Sequence, residues 1–368
     1  MGMYDEQARV LRPDIEPGRR VLVISDIHAN LLYFHGLLKK VSFCNDDMLI
    51  LNGDFLEKGA ESLRTLREVM ALTERGNVIP IMGNCDDWAA IFRENTRWTK
   101  NLQKYLQYRR SGLLWDMALE LGLDPLRLPD FEDFKGLLAG HFAAEFAFLG
   151  RLPHAAQAGR FTFAHAAVYP DRPLEAHTVG ELLRCEAWYK LGYRFDNWVV
   201  VGHYPVMLYF DDIVCANPII DHQRHIACID GACVLKDDGQ LNCLIIPDIM
   251  GDDVSFEAYD PFPVRTVLSD QAAKERSAYI RWGDSCVQVL EHGEEFSRCR
   301  HVRTGYELDI LTKYLFTEEE FTGCNDCTDY VLPLRAGDRV GVVETCSRGY
   351  FVKHSGVSGW YFGALSEE

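Results

Sequence analysis

The chain has 368 residues, 48% of them hydrophobic and 25% charged, a balance that excludes a disordered or fibrous protein and leaves room for more than one packed core. Its formal net charge is -17 and no long basic stripe offsets it, which argues against nucleic acid as a partner; an anionic substrate would need local positive charge such as bound metal ions. No run approaches the roughly 18 to 20 apolar residues of a membrane span, so no membrane partner is expected.

The opening stretch "MGMYDEQARVLRPDIEPGRR" lacks the apolar run of a secretion signal. The twelve cysteines, from Cys44 to Cys346, are therefore expected as reduced thiols of a cytoplasmic protein. Further on, five short apolar runs read as buried strands: "VLVIS", "MLILN", "VIPIM", "FTFA" and "WVVV". The third contains Pro80, where that strand is expected to begin. Helical patterns separate the first three runs, "ANLLYFHGLLKKV" and then "SLRTLREVMALTERG" with Leu63, Leu66, Val69 and Met70 at helical spacing. This alternation predicts an α/β sheet.

Each run ends in a side chain able to bind metal. Asp26 and His28 follow the first, Gly53 and Asp54 the second, Gly83 and Asn84 the third, His165 the fourth, and Gly202 and His203 the fifth. In open α/β sheets the ligand site lies outside the carboxyl ends of the strands, so five tips spread along the sequence can converge. The glycines before Asp54, Asn84 and His203 are expected where a strand turns sharply into a loop. Two carboxylates, an amide oxygen and three imidazoles suit manganese, iron, zinc or nickel better than calcium or magnesium, which favour oxygen. Six ligands are too many for one catalytic ion with an open position; they suit two ions sharing a bridging carboxylate.

In order and spacing the motifs "SDIHAN", "GDFLEKG", "GNCDD", "FAHAAV" and "VVGHYP" resemble those of the calcineurin-like metallophosphoesterases, most closely the bacterial phosphoprotein phosphatases. The resemblance spans roughly residues 20 to 250, where "HIACIDGACV" and "LNCLII" are similar to the closing strand pair. It implies a β-sandwich flanked by helices. It also implies one metal on Asp26, His28 and Asp54 and a second on Asp54, Asn84, His165 and His203, with Asp54 as the bridge and manganese the first choice. A hydroxide between the ions would then attack phosphorus in line. Lys58, Asn84 and His203 would contact the substrate phosphate, and Asp54, Asn84, Cys85 and Glu57 would form the catalytic group. The implied substrate is a phosphorylated protein or a small phosphoester. A phosphodiesterase or dinucleoside-polyphosphate hydrolase is the alternative, and a scaffold without catalysis a further one.

Three departures from the resemblance bear on mechanism. Glu57 stands in place of an Asp, and Lys58 in place of an Arg, keeping the charge but losing the bidentate fork. Cys85 stands where the branch has the His proposed to protonate the leaving oxygen, which leaves Glu57 without its expected partner. Cys85 is open to three readings: a nucleophile, a thiolate ligand, or a small residue in a site that works without this acid.

Residues 87–155 lack strand patterning and are rich in Trp, Tyr and Phe, with "LLWDMALELGL" and "FKGLLAGHFAAEFAFLG" reading as helices of an inserted cap. Arg93, Arg97, Arg109 and Arg110 are candidate substrate contacts. The catalytic domain is thus expected over 1–260 and a linker over 261–283. An all-β region is expected over 284–368, with runs "SCVQVL", "YELDIL", "VGVVET", "GYFVKH" and "GWYFGAL". Residues 337–365 resemble bacterial SH3-like domains, and the stretch from Cys286 to Phe316 has the look of a degenerate first copy. "CNDC", Cys324 to Cys327, has the spacing of a zinc half-site but no second pair, so two plain thiols are the default.

Overall fold

The computed structural model describes residues 3–88, 98–128, 130–318 and 321–367. It separates into two units: 1–205 with 218–235 and 239–260, and 206–217 with 236–238 and 261–368. Among the described residues no helix is long and apolar enough to cross a membrane.

All five expected strands are present in the first unit, as Val21–Ile24, Met48–Asn52, Val78–Ile81, Phe161–Ala164 and Trp198–Val201. They divide between two sheets. One has the order Ser255–Tyr259, Leu241–Ile246, Val21–Ile24, Met48–Asn52 and Val78–Ile81, its last three strands parallel. The other has the order Val10–Leu11, Ala155–Ala158, Phe161–Ala164, Trp198–Val201, Ile226–Cys228 and Ile219–Asp221. The third run begins at Val78 and not at Pro80, which pairs with Leu51 on the edge strand. On an edge, the proline's missing N–H costs no ladder bond.

The unbroken apolar runs follow from burial on both faces. Val21, Val23, Met48, Ile50, Leu244 and Ile246 share a core with Phe161, Phe163, Trp198 and Val200 of the other sheet. Leu22, Ile24, Leu49 and Leu51 turn the opposite way, to the helices Leu31–Lys40 and Ser62–Thr73. Within the core shared by the two sheets, the rings of Phe161 and Trp198, paired neighbours on the second sheet, stack at 6.2 Å.

The helical cap comprises Trp98–Arg109, Leu113–Glu120, Phe131–His141 and Ala143–Leu149. What reads in sequence as one helix through Phe142 is two, because Phe142 leaves helical geometry at φ -117° and ψ 32°. Leu106, Leu113, Met117, Phe134, Phe142 and Leu149 lie in the same core as the helices beneath the first sheet. The cap is therefore continuous with the core of the first unit.

The second unit is built of β-strands. Arg339–Cys346, Gly349–His354 and Val357–Tyr361 form a meander, extended by Val264–Thr266 on one side and Val214–Cys215 on the other. Val287–Glu291, Phe296–His301 and Glu307–Leu311 form another. Each has its own small core, around Val340, Val352 and Tyr361 and around Cys299, Leu308 and Ile310. The sulfurs of Cys324 and Cys327 are 3.8 Å apart in free cysteines.

Candidate metal centre

The strand tips carry the site because their loops are laced to one another through the backbone. Asp26 N donates to Gly53 O at 3.0 Å, His28 N to Asp54 O at 3.0 Å, and Gly202 N to His165 O at 2.7 Å. Asp26, His28, Asp54 and His203 all have positive φ, at 57°, 49°, 53° and 68°. For residues with a Cβ such angles are unfavourable, by about 1–3 kcal/mol each, and they persist only where surrounding bonds dictate them. At Gly83 and Gly202 the glycine supplies room and not a turn. A Cβ on Gly83 would lie 2.1 Å from Asp54 N and Oδ1, and one on Gly202 would lie 2.0 Å from Ser25 Oγ.

All six residues expected as ligands gather here. His28 Nε2 lies 3.8 Å from Asp26 Oδ1 and 4.0 Å from Asp54 Oδ2. His165 Nε2 lies 3.3 Å from Asp54 Oδ1 and 3.1 Å from Asn84 Oδ1. The His165 and His203 rings are 5.1 Å apart. Two sets of ligand atoms fall within 4.8 Å of one another, His28 with Asp54 and Cys85, and Asp54 with His165 and His203. Asp54 belongs to both.

This donor set fits divalent ions. His165 Nδ1 faces Asn52 O at 3.1 Å and His28 Nδ1 faces Leu56 O at 3.3 Å; a carbonyl only accepts, so these nitrogens carry protons, and an ion that displaces any proton on Nε2 would take the Nε2 lone pairs. The electrostatics also call for a cation. Burial pulls the His165 imidazolium down, but the Asp54 carboxylate outweighs it and pushes the group up to about 10. Burial, and then neighbouring Asp230, push Asp26 well above the usual carboxylate range. Burial lowers His28 to about 4 and, with charged His165 beside it, His203 to about 3.

Two supporting residues escaped the sequence reading. Asn52 Nδ2 donates to Ala164 O at 2.9 Å, tying the sheets together at the site. Buried Asp86 accepts from Asp54 N at 2.7 Å, Gly83 N at 2.9 Å and Leu56 N at 3.0 Å. It is the first of the two acids after Cys85, and its only sequence signal is the doubled Asp. Asp86→Ala leaves three buried donors unsatisfied and should lower stability by roughly 3–5 kcal/mol in urea unfolding, whereas a change under about 1 kcal/mol would contradict its anchoring role.

Around this centre the remaining candidates separate. Cys85 is half-buried, its N–H on Asp54 Oδ1 at 2.7 Å and its sulfur 3.4 Å from Asn84 Nδ2. Glu57 is not without partners: its carboxylate accepts from the Tyr105 hydroxyl and, at 2.7 Å, from Leu113 N, both in the cap. Lys58 is half-buried beside it. Arg109 is half-buried next to Tyr105, Arg110 is exposed, and Arg93 and Arg97 lie outside the described residues.

A two-sheet α/β fold whose strand tips gather carboxylates and imidazoles defines a metal-dependent hydrolase of phosphoesters. The chain belongs to the calcineurin-like phosphoesterase family, whose model matches residues 19–212 and whose members use a dinuclear divalent metal centre. Among solved structures it is similar to a protein provisionally assigned as a diadenosine tetraphosphatase, at 21% identity over 69% of this chain and 99% of the other, with a TM-score of 0.45. It is also similar to a serine/threonine phosphatase of Saccharomyces cerevisiae, at 10% identity over 71% and 86% of the two chains, TM-score 0.41. A metallophosphoesterase of Sphaerobacter thermophilus is similar at 18% identity over 66% and 89%, TM-score 0.38. These likenesses are distant and specify no substrate. No curated protein matches the chain.

Proposed function

We propose that the protein is a two-metal phosphoric monoester hydrolase of the phosphoprotein-phosphatase type, acting on a phosphorylated protein or small phosphoester. Asp26, His28 and Asp54 hold one ion, and Asp54, Asn84, His165 and His203 a second, with manganese the first choice and iron, zinc or nickel the others. The observation that carries this reading is the membership of Asp54 in both ligand clusters, one oxygen toward His28 and the other toward His165. When bound, the ions supply charge stabilisation and activate water for in-line attack on phosphorus.

The chain's own residues do the rest. Lys58, Asn84 and His203 orient the phosphoryl group, and Asp86 and the two Nδ1–carbonyl contacts hold the ligands rigid. The free cysteines support a cytoplasmic location, and the residue pattern of 337–365 supports an SH3-like reading of the carboxyl-terminal strands. The motif "GNCD" is also similar to that of a phosphodiesterase branch of the superfamily, which makes a diesterase the second reading.

Metal analysis after purification without chelator, with manganese supplied, should give about two ions per chain. Fewer than about one ion per chain would favour a scaffold. p-Nitrophenyl phosphate should be cleaved faster than its bis ester; the reverse order would replace the monoesterase reading with the diesterase one.

A further inference from the structure

Glu57 and Lys58 are opposite charges at adjacent positions, yet the two do not pair. Lys58 meets no carboxylate among the described residues, although its charge is felt at Glu57, His28 and Cys85. Both Glu57 oxygens are occupied elsewhere. Oε1 takes the Leu113 N–H at 2.7 Å and Oε2 takes the Tyr105 hydroxyl, while Glu57 N donates to Ser62 Oγ at 3.1 Å. The cap makes space for this carboxylate: Gly112 has φ +112°, and a Cβ there would lie 2.4 Å from Glu57 Oε2.

We infer that Tyr105 is a positioning residue that holds the Glu57 carboxylate in the helical cap, so that the Lys58 ammonium stays free to take the substrate's phosphoryl group. The inference rests on the reading of Lys58 as a phosphate contact. Without the Tyr105 hydroxyl, Oε2 of a buried carboxylate loses a donor, and the next residue in the chain, Lys58, is a cation that meets no carboxylate among the described residues. An internal Glu57–Lys58 pair would then compete with the phosphate for the same ammonium. The cap thereby controls the charge offered at the site from 48 residues away in sequence.

The test is binding of inorganic phosphate to the manganese-loaded full chain, followed by isothermal titration calorimetry. Lys58→Met should weaken binding about tenfold, equivalent to ~1.4 kcal/mol. Tyr105→Phe, which keeps the ring, should weaken it by a similar factor, and adding Glu57→Gln to Tyr105→Phe should recover most of the loss, since a neutral amide does not capture the lysine. Tyr105→Phe should add nothing in the Lys58→Met background.

A merely structural role for Tyr105 would survive both the Glu57→Gln and the Lys58→Met backgrounds, and that result overturns the inference. So does unchanged binding in Tyr105→Phe, or no phosphate binding by the wild type. If Tyr105→Phe does not fold, the Lys58→Met result decides, unchanged affinity overturning the inference. Hydrolysis of p-nitrophenyl phosphate by the wild type is scored separately, so a chain that binds phosphate but does not hydrolyse the ester loses the monoesterase reading alone.

Discussion

Asp54→Asn should lower turnover of p-nitrophenyl phosphate by at least ~10³-fold, equivalent to about 4 kcal/mol of transition-state stabilisation. The substitution keeps the shape of the side chain and removes the one charge common to both ligand clusters. Asp54 Oδ2 lies toward His28, and Oδ1 lies toward His165 while accepting the Cys85 N–H at 2.7 Å. An asparagine offers a single acceptor oxygen, so it can serve one side and must turn its amide nitrogen to the other. Metal content should fall with activity, from about two ions per chain to one or fewer. Circular dichroism should show an intact fold, because the loops remain tied by Asp86 to the backbone nitrogens of residues 54, 56 and 83. Activity within about tenfold of wild type, with both ions retained, would remove Asp54 as the bridge.

The site was legible in sequence because its first layer sits where apolar runs stop. Strands such as Val21–Ile24 and Trp198–Val201 are buried on both faces, so they read as unbroken hydrophobic runs and their ends are sharp. What the sequence concealed depends on contacts between distant segments. Nothing near Asp86 announces three backbone donors arriving from two loops. The bond between Glu57 and Tyr105 exists only once the cap has docked. The positive φ angles at Asp26, His28, Asp54 and His203 occur at non-glycine residues and leave no mark in composition. In the second unit the strand Phe296–His301 was missed for another reason: its buried face presents Ser297, Cys299 and His301, while Arg298 and Arg300 face outward. A strand whose inward residues are small or polar lacks the alternation on which a reading depends.

Cys85→His places an imidazole where the resemblance to phosphoprotein phosphatases leads one to expect the acid for the leaving oxygen, but by itself it should raise turnover of a phosphoserine peptide by less than about tenfold. General acid assistance is worth about 10² to 10⁴ when the acid is held in position. Here the carboxylate that would hold it is engaged by Tyr105 and Leu113 N, and Glu57 is buried among cap residues. Cys85 itself does not fill the role, because a thiol is a weak hydrogen-bond donor. Combining Cys85→His with Tyr105→Phe leaves Glu57 Oε2 without the tyrosine hydroxyl, and the new imidazole competes with Lys58 for that oxygen. The double variant should then gain about 10²-fold in kcat on the phosphoserine peptide, whose alkoxide leaving group needs a proton, and change little on p-nitrophenyl phosphate, whose phenolate does not. Saturating substrate is required, because Tyr105→Phe also weakens phosphate binding if Glu57 captures Lys58. Equal gains on the two substrates would show that the imidazole acts through something other than proton transfer. A full gain from Cys85→His alone would show that Glu57 is not needed to orient it, and that the cap's hold on this carboxylate is separate from leaving-group chemistry.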